Sequence, residues 1–291
     1  MCENAIKQIP IIIDYKFTND NMINKHYPIL LLTQAYNEEK NVKDFLENTS
    51  KFVDGIIVLD DSSTDNTWNL LNTEERDNKL ILKLKKKRTS FNDLENRNLL
   101  LNVLEKVFLN NNIKIDWIIW LDFDERIHDH HDSYISLMRE KLLTSSFQYN
   151  QFNIHMVHMW DNIHYNKIYP YSLNGIQLHT RIIRINKELI KKYEICMTNY
   201  RNKTLHFKLT PYPIREKVYP FPLLVKHLGR NSDEIRKEKY NLYTQVYDKN
   251  LINQKSYQHF LSPVDKNNLV NYNENADNII KDIYKNCLLD E

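Results

Sequence analysis

Short apolar runs alternate with amphipathic stretches over the first 130 residues. Residues 29–33 form an apolar run long enough for a buried strand and too short for a helix. A polar turn at 34–38 follows, and then Val42, Phe45, Leu46 and Phe52 mark one face of a helix. Asp54 and Gly55 break that helix, with the glycine near a C-cap position. Residues 56–59 read as a second strand, 60–66 as a polar loop rich in N-capping residues, and Trp68, Leu70 and Leu71 as the opening of the next helix. A third strand at 79–84 precedes a long helix over 92–109, striped by Leu94, Leu100, Leu101, Leu104 and Val107. A fourth strand, 116–121, runs into Asp122-Phe123-Asp124-Glu125. Continuous apolar strands alternating with helices predict an α/β fold, a Rossmann-type mostly parallel sheet flanked by helices.

The second half is patterned differently. Residues 148–160 and 177–186 predict strands with mixed faces, separated by a Tyr-rich loop at 165–171. Four prolines at 211–222 predict a loop or an edge there. A short strand at 223–228 precedes a charged helix to about residue 247, with Asn231 and Glu234 as a capping-box variant. The chain ends in a polar stretch with a helix at 276–288. Residues 1–28 are weakly patterned and read as an N-terminal extension on the core. The main domain is then 29–250, with 251–291 as a C-terminal tail and helix. No repeat or low-complexity tract stands out.

Composition removes several functions. The chain of 291 residues has only three glycines, Gly55, Gly175 and Gly229, and no two are close. A Walker A loop and a dinucleotide fingerprint both need clustered glycines, so neither can be built. A nucleotide, if bound, must be held by side chains and a metal. Three scattered cysteines and no CxxC pair argue against a disulfide framework or a zinc finger, and fit a reducing compartment. The N-terminus lacks the pattern of a signal peptide, and no apolar run approaches the ~20 residues of a membrane span. A cytoplasmic protein is expected, in a bacterial or virus-infected cytosol, with peripheral membrane association left open. A net charge of +2 shows no bias toward nucleic acid, which is not expected as a partner.

The strongest chemical signal is the strand 117–121 ending in two aspartates at i and i+2. Strand alternation predicts that Asp122 and Asp124 point to one side. Two close carboxylates need a cation between them, and a hard divalent ion is the economical choice. The plainer reading is a pair of solvated loop residues. The other strands end comparably, in Gln34-Ala35-Tyr36-Asn37-Glu38 and in Asp60-Asp61-Ser62-Ser63-Thr64-Asp65. Carboxylates on that rim can accept from a base N–H, and Tyr36 can stack on the ring. Helix capping explains Ser63, Thr64 or Asp65, but not Asp60 and Asp61.

Together AYNEEKNV at 35–42, IIVLDDSSTDNT at 56–67 and WLDFDE at 120–125 resemble glycosyltransferase family 2, which has the GT-A fold. The resemblance covers residues 29–130 well. It continues loosely through MWDN at 159–162, HTRIIR at 179–184 and KHLGR at 226–230. It implies a nucleotide-binding half at 29–130 and an acceptor half at 131–250, with mixed strands and C-terminal helices. Gln34, Tyr36, Asn37 and Glu38 would line the base and ribose pocket, Asp61 would accept from the base, and Arg97 would face the nucleotide. Asp122 would hold ribose or a metal-bound water, Asp124 the metal, and His227 would be a late third ligand. Two departures stand out. Ser62 occupies a position where many members carry glycine, and 88–91 replaces a Gly-rich lead into the third helix.

The reaction so implied is an inverting, metal-dependent transfer of the hexosyltransferase type. It moves a sugar from a nucleotide-sugar, a UDP-sugar by resemblance, to an acceptor hydroxyl on a glycan, lipid-linked molecule or protein. Mn²⁺ or Mg²⁺ would act as Lewis acid on the departing diphosphate, with Lys226, Arg230, Arg181 and Arg184 adding positive charge. One general base is needed. Asp161 is the first candidate and Glu125 the second, with Glu188, Glu194 and Glu216 behind them. The plain alternatives are that Asp161 is a turn residue and that Glu125 pairs with Arg126. Residues 128–132 look metal-like but match no zinc spacing. His155 and His158, three apart in a strand, face opposite sides. The basic run 83–88 reads as a solvated surface, and the aromatics at 160–171 and 212–221 as packing. The rival readings are a non-catalytic nucleotide- or carbohydrate-binding protein and a phosphohydrolase using the same aspartate pair.

Overall fold

The computed structural model describes residues 2–17, 26–73, 79–87, 92–129, 132–145, 149–168, 172–185, 188, 190, 218–246, 261 and 263–286. The chain divides into two compact units, one of residues 1–123, 129–153 and 180–219, the other of 124–128, 154–179 and 220–291.

Unit one holds α1 (Cys2–Lys7), β1 (Ile12–Phe17), β2 (His26–Ala35), α2 (Val42–Ser50), β3 (Gly55–Asp60), α3 (Thr67–Thr73), β4 (Leu80–Lys86), α4 (Asp93–Val103), β5 (Lys114–Trp120) and α5 (Asp132–Thr144). Its strands run in the order β1-β4-β3-β2-β5-β9, where β9 is Ile176–Arg184. The four central strands are parallel, and β1 and β9 lie antiparallel on either side. This is the α/β arrangement that the alternation of apolar runs predicts. Every residue of β3 is buried, as is the stretch Ile29–Leu32 of β2, and that two-sided burial is why these strands read as unbroken apolar runs. Each fully buried Leu, Ile or Phe contributes about 1.5–3 kcal/mol.

Strand order fixes where a ligand can enter. From β2 the chain moves outward to β3 and β4, then returns to lay β5 on the other side of β2. An open α/β sheet binds ligands at such a reversal, outside the carboxyl ends of the strands. Gln34 lies at that end of β2, and Asp122 follows that end of β5.

Several local expectations change. Gly55 is not at a helix cap but opens β3, where an added Cβ would come within 3.0 Å of Ile81, Leu30 and Tyr27 side chains. Within the N-terminal extension, residues 12–17 form an antiparallel edge strand on β4, a strand that the sequence pattern did not mark. The third long helix begins at Asn92, whose side chain accepts from Glu95 N at 3.1 Å. It then widens into a π-turn at Leu104–Phe108. In the basic run, Lys83 and Lys86 are buried, not solvated.

Unit two holds β6 (Glu125–Ile127), β8 (His164–Asn166), β10 (Val218–His227), β11 (Leu269–Asn271), α6 (Asp233–Val246) and α7 (Tyr272–Asn286). With parts of β7 (Gln151–His158) and β9, its strand order is β9-β7-β10-β6, and β8 pairs with β11. β6 and β10 are antiparallel, with His227 opposite Glu125. Pro220 and Pro222 lie inside β10, an interior strand between β7 and β6, contrary to the loop or edge expected there. The β6 ladder reaches only Val225–His227, so those prolines lack no β6 hydrogen bond. α6 is capped by Ser232, which accepts from Ile235 N at 3.2 Å, not by Asn231. No helix among the described residues is long and apolar enough to cross a membrane.

Candidate active site

In unit one, β2, β3 and the start of α4 carry a connected polar network. Gln34 donates to Asp93 and accepts from Asn96 Nδ2 at 2.7 Å. Asn96 also donates to Asp61 Oδ2 at 3.3 Å. Lys86, fully buried, lies 3.3 Å from Asp61 Oδ1 and 3.0 Å from Glu95. Asp61 is itself buried, and the Lys86 ammonium is the counter-ion that offsets the cost of burying its charge. Burial raises the proton affinity of neighbouring Asp60, against hydrogen bonds from Ser63 and the charge of Lys85.

Arg97 links this network to the acidic strand end. Its Nε donates to Asp93 Oδ1 at 2.9 Å and its Nη2 to Asp122 Oδ1 at 3.4 Å. Its guanidinium lies 5.1 Å from the Trp120 ring centre. The other Asp122 oxygen accepts from Arg181 Nη2 at 3.4 Å. Asp122 is thus flanked by two arginines. Phe123 is buried and stacks on Phe45, centroid to centroid at 4.4 Å, which anchors the residue between the two aspartates.

Tyr36 is exposed at 38%. Asn37 adopts φ 56°, and its role is to lace two loops together. Its N–H donates to Ser63 Oγ and its Oδ1 accepts from Thr64 N. The Glu38 N–H donates to Thr67 Oγ1, and its carboxylate accepts from Asn41 at the start of α2.

In unit two, Asp124 meets His227 and Lys239. Asp124 Oδ2 lies 2.8 Å from Lys239 Nζ and 3.3 Å from His227 Nε2. Burial alone would raise the Asp124 proton affinity, but the charges of Lys239 and His227 hold its carboxyl well below the usual range. All three groups converge on Gly229. A Cβ there would lie 2.1 Å from Asp124 Oδ2, 2.2 Å from Lys239 Nζ and 2.8 Å from His227 Nε2.

The strand-alternation argument for Asp122 and Asp124 does not apply, because β5 ends at Trp120 and both aspartates lie beyond it. Among the described residues no three His, Cys, Asp or Glu are grouped to hold an ion. Two of the expected ligands, Asp124 and His227, do meet. The glycine-backed cradle they form already holds one cation, the Lys239 ammonium, and its carboxylate and imidazole donors suit Mn²⁺ or Mg²⁺.

A second layer sits behind His227. His158 Nδ1 is 2.7 Å from His227 Nδ1, and His158 Nε2 is 2.8 Å from Gln177 Oε1. His179 Nε2 reaches the same Gln177 oxygen at 3.1 Å. His155, by contrast, bonds the Phe221 carbonyl, so the two β7 histidines serve different partners as expected.

Asp161 accepts from Ile163 N, His164 N and His164 Nδ1, the bonds of a turn residue. Burial would raise its proton affinity, but these hydrogen bonds prevail and lower it. Glu125 is buried in β6. Arg184 packs 4.1 Å from the Trp117 ring centre, and its Nε donates to Tyr149 O. Lys226 lies 5.5 Å from the Tyr272 ring centre. Glu194 and Glu216 lie outside the described residues, as do 88–91, 130–131 and 211–217.

Sequence reasoning missed Lys86, Asp93, Asn96, Gln177, Gly229 and Lys239. Of these, only Gly229 carried a signal, as a lone glycine beside the His227 motif.

No family model and no curated protein matches the chain. Among solved structures it is similar to TarS 1-349 of S. aureus, with 14% identity, 80% of this chain and 69% of that one covered, and a TM-score of 0.42. It is also similar to the mannosyltransferase PcManGT of Pyrobaculum calidifontis in complex with GDP-Man and Mn²⁺, with 11% identity, 89% and 76% covered, and a TM-score of 0.40. A third is glucosyl-3-phosphoglycerate synthase of Mycobacterium tuberculosis with Mn²⁺ and UDP, at 18% identity, 45% and 44% covered, and a TM-score of 0.31. Likenesses this distant leave the chemistry to be argued from the residues.

Proposed function

We propose that the chain is a nucleotide-sugar-dependent glycosyltransferase, transferring a hexosyl group from a UDP-sugar to an acceptor hydroxyl with inversion. The observation that carries this reading is the acidic strand end beyond β5. It follows the strand beside which the sheet order reverses, its Asp122 is flanked by Arg97 and Arg181, and its Asp124 is joined to His227 and Lys239. Tyr36 would stack on the base, and the Asp61 carboxylate would accept from it. Gln34, Asn37 and Glu38 frame the base and ribose, and Asp122 is oriented by its two arginines toward the ribose.

Asp124 and His227 would hold Mn²⁺ or Mg²⁺. Such an ion, when bound, supplies Lewis-acid stabilisation of the leaving diphosphate. Arg97 and Arg181 hold the Asp122 carboxylate in place, and His158 orients His227. Inversion by single displacement needs a base on the acceptor hydroxyl. The low proton affinity of Asp161 disfavours it for that role, so Glu125 is the base we propose. Acceptors in keeping with this chemistry are a glycan, a lipid-linked saccharide or a protein.

The test is a thermal-shift screen of UDP-, GDP- and dTDP-sugars with and without Mn²⁺. At a concentration of 100 Kd, the right nucleotide stabilises the fold by about 2.7 kcal/mol. Stabilisation by none of them defeats the proposal. Binding without transfer to any acceptor favours a non-catalytic binding protein. Glu125→Gln that leaves turnover unchanged removes Glu125 as the base. Phosphate release from generic phosphoesters, lost in Asp122→Asn, would favour the phosphohydrolase.

A further inference from the structure

Lys239 stands on α6, more than a hundred residues from the acidic motif in sequence, yet its ammonium lies 2.8 Å from Asp124 Oδ2. Both side chains are mostly buried, 25% and 19% exposed, so in the free protein the ammonium offsets the cost of burying the Asp124 charge. The chain also leaves Gly229 without a Cβ exactly where Lys239 Nζ, Asp124 Oδ2 and His227 Nε2 converge. Any other residue would push these three apart.

The charge arithmetic of the cluster is informative. Asp124 and Lys239 cancel. A divalent ion arriving alone meets the carboxylate and imidazole, but also the ammonium, which repels it and already occupies Asp124 Oδ2. A diphosphate arriving alone meets the ammonium, but also the carboxylate, which repels it. When both arrive, the charges regroup without conflict: the carboxylate goes to the ion and the ammonium to the phosphate oxygens.

We propose that Lys239 is a diphosphate-binding residue, paired with Asp124 in the free protein and released to the phosphate oxygens of the donor when a divalent ion takes that carboxylate. The proposal rests on the glycosyltransferase reading and adds to it a residue and a coupling. Metal and nucleoside diphosphate each bind tighter in the presence of the other, and by linkage the two enhancements are equal. Lys239 touches the diphosphate, so a nucleoside monophosphate, which lacks the outer phosphate, gains less from it.

The experiment measures three quantities by calorimetry, with GDP and GMP run in parallel with UDP and UMP. They are Mn²⁺ affinity alone, UDP affinity with and without Mn²⁺, and UMP affinity with Mn²⁺. The proteins are the wild type, Lys239→Met and Lys239→Arg. In the wild type, Mn²⁺ and UDP each strengthen the other at least tenfold. Lys239→Met binds Mn²⁺ alone severalfold tighter, because the competing charge is gone. It binds UDP with Mn²⁺ at least tenfold weaker, and UMP within twofold of wild type. Lys239→Arg recovers part of the UDP affinity, which a loss of folding in the Met variant could not explain. If Lys239→Met leaves UDP affinity unchanged, or weakens UDP and UMP equally, Lys239 is only a counter-ion and the proposal fails while the glycosyltransferase reading stands. If no nucleotide binds the wild type with or without Mn²⁺, both fail together.

Discussion

His158 and His227 meet nitrogen to nitrogen, Nδ1 to Nδ1 at 2.7 Å, so one must donate a proton and the other accept it. Gln177 Oε1 accepts from His158 Nε2, which makes His158 Nδ1 the acceptor and His227 Nδ1 the donor. His227 Nε2 is then the nitrogen turned toward Asp124 and Lys239. An imidazole that ligates a cation through one nitrogen has its other N–H fixed in this way. Turning the Gln177 amide over reverses the whole chain.

His158 must stay neutral for that chain to work, and this sets a pH dependence. Burial pushes its pKa well below the usual histidine value, and the nearby charges of His227, Arg230 and His179 push the same way, with the Gln177 hydrogen bond opposing. In the unfolded chain it titrates near 6.5 (about the ordinary value). Below that pH the unfolded state binds more protons, so the stability contribution is complete above about pH 6.5 and is lost as pH falls toward the folded value. Thermal melts between pH 7.5 and 5 are expected to fall more steeply for the wild type than for His158→Gln. Parallel slopes would assign the acid sensitivity to another group.

Gly229→Ala is expected to harm the site more than the fold. The new methyl collides with Asp124 Oδ2 and Lys239 Nζ, both at the ends of side chains that can swing away. The backbone therefore survives and the melting temperature changes by only a few degrees. The polar cluster is displaced by an ångström or more, a shift that costs on the order of a hundredfold in rate at a reacting centre. Transfer kinetics with the best donor check this, and a variant with full activity would detach Gly229 from the chemistry.

Arg97→Ala should cost both stability and affinity. Arg97 is 7% exposed and serves two carboxylates, Asp93 and Asp122. Breaking a buried pair costs about 3–5 kcal/mol. The cost here is reduced to roughly 2–3 kcal/mol, because Asp122 is about one-third exposed and keeps Arg181. Urea midpoints measure the loss. Arg97→Lys restores little of it, because an ammonium cannot reach both carboxylates with the geometry of a guanidinium.

The parts of the fold legible in the sequence are those buried on both sides. β2, β3 and β5 appear as apolar runs because both faces are covered. β1 escaped notice because most of its positions are exposed or half-buried, so it leaves no apolar run. β6, three residues long, is too short for any periodicity to register. In the site, Asp61 and Asp122 are marked by their places at strand ends and Arg97 by the family resemblance, and the structure brings them into one network. Lys86, Asn96 and Lys239 were not, because their importance lies in what they touch 25 to 115 residues away. The basic run hid Lys86 in particular, since a solvated lysine and one buried against Asp61 look alike in a string of letters.

Ser62 offers a test of how the loop after β3 is held. Its φ of 57° lies in the left-handed region, where a side chain costs about 1–2 kcal/mol relative to glycine. Its hydroxyl donates to Lys86 O at 2.5 Å, worth about 1 kcal/mol. Ser62→Gly relieves the strain but loses the bond and adds freedom to the unfolded chain, at a further cost of roughly 0.5–1 kcal/mol. The terms nearly cancel, so its stability should stay within about 0.5 kcal/mol of wild type. Ser62→Ala keeps the strain and loses the bond, so it should be destabilised by about 1 kcal/mol. Lys86 is also the residue that neutralises Asp61, and loosening its carbonyl in either variant frees that strand end. Urea midpoints therefore separate Ala from Gly, whereas nucleotide affinity should fall in both. A glycine variant with normal affinity would show that the Ser62 hydroxyl has no part in placing Asp61.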